Sequence, residues 1–414
     1  MSPSSDVPDG FSPGGDPLRA GQAGGPLPED LAGKIPLFAE LQKLLSWSGG
    51  PVNWELARQV AIAAAGGADP ALSQQESNAA AEALRLADLW LDPVTALPSG
   101  MTAAEAWTRV GWVEQTLSTW SILCDPVAAR VVDALRSGLP EEAQQAALPV
   151  MGVMGQMGGL LFGAQVGQAL GSLAGEIVSA TEIGLPLGPV GHAALLPANV
   201  AAFGAGLELP QQEVQLYLAL REVAHHRLYG HVPWLRAHVV AAVEAYAQGI
   251  TVDAEAIGRA MTELDASDPE AVQSALGGGM FRPETTAEQQ RALARLETAL
   301  ALVEGWVADV VGAAAVGRLP AADALGETLR RRRASGGPAE ATFANLVGLE
   351  LRPRRLREAA AVWQSLRELR GIAGRDAVWE HPDLLPGADD LADPGHWLAD
   401  DDQPTADPGP PSSA

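Results

Sequence analysis

A mostly α fold is expected of this chain, for three reasons. Apolar residues recur at alternating steps of three and four, most clearly at Leu293, Leu296, Leu300, Val303, Val307 and Val310, which puts them on one helix face. Ser or Thr followed three residues later by Glu, the box that closes a helix N-terminus, stands at Thr102/Glu105, Ser267/Glu270 and Thr285/Glu288. No alternating apolar and polar run longer than about five residues argues for a strand.

Along the chain, residues 1–33 are rich in Pro, Gly, Ser and Asp without apolar periodicity and read as a disordered leader. The opening MSPSSDVPDGF has no basic stretch before an apolar run, so no secretory signal is expected and the compartment is cytoplasmic. One large helical domain is assigned to residues 34–385. Trp107, Trp112 and Trp120 fall on one expected helix as core anchors. Residues 143–175 carry no charge before Glu176 and are long enough to span a bilayer, but they contain five glutamines and have acidic rather than basic flanks. In the same stretch Gly155, Gly159, Gly163, Gly167, Gly171 and Gly175 recur every fourth residue. That stripe fits a buried central helix approached to backbone contact by a second one, with tight packing offsetting about 1 kcal/mol of lost helix propensity per glycine.

The helix from residue 285 to about 316 has the clearest packing seam, and Glu304 lies at its edge, where a carboxylate needs a partner. Arg330 to Arg333 open a basic region running through Arg352, Arg354, Arg355, Arg357, Arg367, Arg370 and Arg375. A solvated face or an internal neutraliser of the acidic remainder is the plainer reading of it, an anion site the sharper one. Residues 386–414 form an acidic, partly disordered tail; from Asp376 onward there is no Lys or Arg.

Composition narrows the function classes. At 414 residues and 47% hydrophobic the chain can bury a large core. A formal charge of −24 argues against nucleic acid and against anionic membrane surfaces as partners. The single Cys124, in an apolar helical context, excludes an internal disulfide and a thiolate metal cluster, and packs as an inert core residue. Lysine occurs only at Lys34 and Lys43, a bias that fits a high-GC, actinobacterium-like source.

The chemistry is concentrated in Arg221-Glu222-Val223-Ala224-His225-His226-Arg227-Leu228-Tyr229-Gly230-His231. These residues nearly spell His-Glu-x-x-His, in which two histidines at i and i+4 on one helix face hold Zn²⁺ and the Glu activates a bound water. The first histidine is replaced by Arg221. The helix is expected from about Pro210 to Gly230 and, with Val214, Leu216, Tyr217, Leu218 and Leu220 on it, should be buried. Its charged residues must therefore be paired or bind a metal.

Residues 34–400 as a whole resemble a largely actinobacterial family of zinc-dependent metalloproteases and hydrolases, some of them linked by name to deazaflavin-cofactor biosynthesis. The matching stretches include PLFAELQKLLSWSGGPVNWELARQVA, LYLALREVAHHRLYGHVPWLRAH, LARLETALALVEGWV, GGPAEATFANLVGLELRPRRLREAAAVW and RDAVWEHPDLLPGADDL. The resemblance implies a zincin-like helical domain with zinc as cofactor, Glu222 as general base, His225 as second ligand and Glu304, in Leu302-Val303-Glu304-Gly305, as third. Arg221 stands where the first ligand belongs, and a guanidinium offers no lone pair to a metal.

Two arrangements follow. His231, six residues beyond His225, could complete a metal site with His225 and Glu304, and His238 is a second reserve. Alternatively Arg221 replaces the metal's charge by pairing with Glu304 or Glu222 in a dry interior. The first is a peptidase; the second is a catalytically inactive relative that binds a peptide or protein, with Arg221 open to a substrate carboxylate. No Gly-x-Ser-x-Gly elbow is present, and His381 and His396 read as capping or packing residues.

Overall fold

The computed structural model describes residues 50–67, 69–137, 148–249, 286–334, 342 and 355–400. They form α1 (Trp54–Gly66), α2 (Gln74–Leu91), β1 (Ala103–Ala106), α3 (Arg109–Ser137), α4 (Leu148–Ala174), β2 (His192–Leu195), α5 (Pro197–Gly204), α6 (Gln211–His231), α7 (Pro233–Gln248), α8 (Ala287–Ala315), α9 (Ala322–Ala334), α10 (Leu356–Ala377), α11 (Ala388–Ala392) and α12 (Pro394–Asp400). The mostly α expectation holds. Among the described residues the sheet is one parallel pair, β1 against β2, with Ala103 opposite His192 and Ala106 opposite Leu195. The expected leader, residues 1–33, lies outside the described residues.

Local start signals were only partly sufficient. Thr102/Glu105 opens no helix: the N–H groups of Thr102 and Ala103 both donate to the Gly191 carbonyl, at 2.8 and 3.0 Å, and draw the segment into β1. Glu105 instead accepts from the Trp107 indole at 2.7 Å. At α8 the box sits one residue later than expected, with Thr286 capping the Gln289 N–H and Gln289 reaching back to that of Thr286. Ser267/Glu270 lies outside the described residues. Ser73/Glu76, which the sequence reading passed over, caps α2. Trp112 and Trp120 are fully buried on α3, whereas Trp107 precedes the helix and donates its backbone N–H to the Leu195 carbonyl.

The glycine stripe does what its spacing implies. A Cβ on Gly163 would lie 2.5 Å from the Asn53 carbonyl oxygen, on Gly167 2.5 Å from that of Ala57, and on Gly171 2.4 Å from the Ala64 Cβ. α1 therefore rides against α4 at a separation that side chains at these positions would forbid. The helix is not central, however, since Leu161 on it is exposed.

The central element is α8, flanked by α6, α7 and α10. Its seam residues Leu296, Leu300, Val303, Val307 and Val310 are buried. Among the described residues it is the one helix long and apolar enough to cross a membrane, and 78% of its apolar window is buried inside the protein. At Gly305 the backbone of α10 approaches closely: a Cβ there would stand 2.7 Å from the Ala359 carbonyl carbon. α6 packs between α2 and α8, buried from Val214 to Leu228 apart from a few partly exposed positions. Residues 386–400, which fall in the tail assigned from sequence, hold α11 and α12 and bury Leu391. Cys124 is buried, its thiol pushed up to about 12 by burial. His381 caps the turn Pro382–Leu384 by accepting the Asp383 N–H at 3.2 Å.

Candidate functional site

α6 runs through apolar surroundings, so each polar side chain in its middle is held by a partner. Arg227, 1% exposed, anchors the helix to α2: it donates to Asp88 at 2.7 Å, to Asp92 at 2.5 Å and to the carbonyls of Asp88 and Leu97. Arg221 and His225, one turn apart, face α8 instead and meet Glu304.

Around Glu304 three cationic or imidazole groups converge. Arg221 donates to its Oε2, and Arg333, near the end of α9, reaches the same oxygen at 2.5 Å. His225 Nε2 lies 3.0 Å from Oε1, and its Nδ1 lies 2.8 Å from the Arg221 carbonyl. Burial works against the charged carboxylate, but the guanidinium groups of Arg333 and Arg221, with His225, outweigh it and hold Glu304 well below its ordinary range. Arg221 also bonds to the Tyr217 phenol, one turn back on α6. Tyr229, one turn beyond His225, donates to the Gly184 carbonyl at 2.6 Å, and burial together with the Glu304 charge pushes its phenol up. Gly184 has φ +78°, and a Cβ there would stand 3.0 Å from Glu304 Oε1, so both its backbone conformation and its closeness to the carboxylate select glycine.

Glu222 belongs to a different group. Its Oε2 accepts from the Thr181 N–H at 3.0 Å and hydroxyl at 2.6 Å, and its Oε1 lies 3.1 Å from His226 Nε2 and 3.3 Å from the Ala194 N–H. Burial raises the proton affinity of this carboxylate, yet the hydrogen bonds from His226 and Thr181 prevail and hold it below its ordinary value. Both oxygens are taken up in tying α6 to β2 and to the segment before it. Beside that segment Glu182 is buried, which pushes its carboxyl up, while Arg332 and Arg333 oppose the shift.

The structure thus brings Arg221, His225 and Glu304 together and places Glu222 among Thr181, Ala194 and His226. His231 stands exposed at the C-terminal end of α6, with Nδ1 3.0 Å from the Arg227 carbonyl. His238, on α7, packs edge-on against Trp234 at 5.6 Å. Sequence reasoning missed Arg333, Tyr217, Tyr229 and Gly184; the two tyrosines had a signal, since they sit four residues before Arg221 and four after His225 on the same helix.

Zinc can be tested against these donors. His225 retains the posture of a metal ligand, Nδ1 on a backbone carbonyl and Nε2 turned to a carboxylate oxygen. The place of a further donor is taken by a guanidinium that bonds the carboxylate itself. Among the described residues no group of three or more His, Cys, Asp and Glu side chains is placed to hold a metal ion. The residues here do not make a zinc site.

Beside Glu304 a cleft of about 270 Å³ opens between α6, α8, α9 and α10. Arg221, Arg330, Arg333 and Arg357 line it together with Tyr217, Gln364 and an apolar wall that includes Leu329, Leu356 and Ala360.

The family model described as zincin-like metallopeptidase matches residues 52–398 of this chain. A crystal structure from Chloroflexus aurantiacus, described as a "putative hydrolase with a novel fold", is similar at 20% identity and a TM-score of 0.61, over 85% of this chain and 99% of that one. At that identity the likeness is one of fold. A search of curated proteins gave no match.

Proposed function

Because this chain belongs to the zincin-like metallopeptidase family, we propose that it is a member in which Arg221 stands in for the metal's charge and in which the adjoining cleft binds a peptide or protein segment without cutting it. The observation that carries this reading is the contact set of Glu304. The carboxylate that the family resemblance makes a zinc ligand is neutralised by Arg221 and Arg333 and faces His225. A protonated guanidinium supplies the positive charge that would otherwise come from a divalent ion, and it satisfies the buried carboxylate. The saturation of Glu222 by Thr181, His226 and Ala194 supports the same reading, since a general base needs a free lone pair near the reacting water.

Zinc content measured on protein purified without chelator tests this. Well under one equivalent per chain is the expected result, with Arg221→His raising zinc affinity because His225 and Glu304 are already oriented. Stoichiometric zinc in the unaltered protein, lost in His225→Ala, would overturn it in favour of a metal-binding relative.

A further inference from the structure

We infer that the arginine-lined cleft is a carboxylate-binding site that takes the C-terminal end of a peptide. The inference rests on the reading of this protein as a peptide-binding relative, and it names the part of the peptide that is held. Charge is the first argument. Four guanidinium groups, those of Arg221, Arg330, Arg333 and Arg357, line the cleft, and the carboxylate among its lining residues is Glu304. Glu304 is already shared by Arg221 and Arg333, and Arg330 and Arg357 share Glu327 with Arg331. Among the described residues the cleft therefore carries more positive than negative charge, in a protein whose formal charge is −24. A basic cleft with low-dielectric walls in an otherwise acidic molecule concentrates anions at that place.

Arg221 and Arg333 are nearly enclosed, at 12% and 17% side-chain exposure, so the excess charge is only partly screened by water. A ligand oxyanion would complete it. Arg330 and Arg357 are more open, at 40% and 74%, and their present partner Glu327 is itself at the surface. They can turn to an incoming anion at little cost, because exposed ion pairs contribute little.

The rest of the lining selects the class of anion. Leu329, Leu356, Ala308, Ala360 and Ala361 supply the apolar part of the lining beside the arginines. About 270 Å³ is at the small end for a ligand pocket and has room for one or two residues. The planar fork of a guanidinium matches a carboxylate through two parallel hydrogen bonds. Gln364 donates its amide nitrogen to Glu368 at 2.9 Å, which leaves its carbonyl oxygen to accept a peptide N–H. A carboxylate attached to a short aliphatic body and followed by an amide is a chain end with an aliphatic last residue.

Calorimetric titration of the full chain with N-acetyl-alanyl-leucine, with its C-terminal amide and with inorganic phosphate tests the inference. Saturable binding of the free acid is expected, at least tenfold tighter than the amide and tighter than phosphate, and weakened several-fold by Arg330→Gln and by Arg357→Gln. Both variants alter exposed side chains and should fold. Equal binding of acid and amide, tighter binding of phosphate, no binding of any of the three, or indifference to both variants would overturn it. Zinc content is read separately. A zinc-free protein that ignores the acid loses this inference and keeps the reading it rests on; a zinc-loaded one loses that reading first.

Discussion

Helix α8 carries two buried carboxylates, Glu304 and Asp309, and they are solved differently. Asp309 is gripped by Arg367 through contacts of 2.9 to 3.1 Å and by Arg375 at 2.9 Å. Arg375, fully buried, continues to Asp376 at 2.8 Å and to the Val94 carbonyl at 2.8 Å. Asp376 in turn accepts from Trp306 at 2.8 Å and from the Thr95 hydroxyl and the Ala96 N–H, each at 2.7 Å. Two guanidinium groups face two carboxylates there. At Glu304 two guanidinium groups and an imidazole meet one carboxylate directly, with buried Glu182 acting on the same arginines from beside β2, and the group opens into a cleft that adds Arg330 and Arg357. An enclosed group fastens α10 to α8; one that opens on a cavity lined by further arginines has positive charge left for something else.

The sharpest way to break this contrast is Arg375→Met. Removing that cation leaves Asp309 with Arg367 alone and Asp376 with neutral donors in a dry site, so a loss of about 3–5 kcal/mol is expected in denaturant unfolding at neutral pH. A loss below about 1 kcal/mol would show that the enclosed group does not fasten the helices.

Arg221→Met should cost less, about 1–2 kcal/mol, because Arg333 and His225 remain on Glu304. An equal cost at both positions would erase the distinction between them. Acid unfolding sharpens it further. The Glu304 carboxyl lies well below 4.5 in the folded protein, so the folded state binds fewer protons than the unfolded chain in that range. The stabilisation is complete above the unfolded value and is lost as pH falls through the depressed folded value. Arg221→Met moves the folded value upward, so the variant should lose less stability than the parent on going from pH 5 to pH 3, read as the shift in unfolding midpoint. A steeper loss in the variant would contradict the assigned pairing.

Much of this contrast was written in local spacing. The seam of α8 placed Glu304 at the edge of a core, and the glycine stripe announced a close helix partner, because both follow from positions along one helix. That Arg221 pairs with an acid, Glu304 or Glu222, followed from charge, since a buried guanidinium needs one; the packing of α6 on α8 selects Glu304. What stayed hidden depends on segments distant in sequence. Thr102 gave a helix signal, yet its N–H and that of Ala103 bond the Gly191 carbonyl and a strand follows. Glu222 read as a base, while its partners come from Thr181 and Ala194, whose positions depend on the β1–β2 pair. Arg333 looked like one of a solvated run, and only the return of α9 toward α6 brings it to Glu304. The six-residue offset of His231 turns it roughly 240° around the helix from His225, a rotation that the residue numbers already contain.

The smallest effect is the most discriminating. Arg357→Gln removes a side chain that is 74% exposed and whose ion pair with Glu327 is shared with Arg330 and Arg331. Exposed pairs of this kind contribute little, so the unfolding free energy should stay within about 0.5 kcal/mol of the parent. If the same substitution weakens binding of a peptide acid several-fold, the cleft cations act on a ligand and not on the fold, in contrast to Arg375, whose loss should be felt in stability. A loss above about 1 kcal/mol would mean that the outer arginines brace α9 against α10, and the two groups on α8 would then differ in degree of enclosure and not in kind.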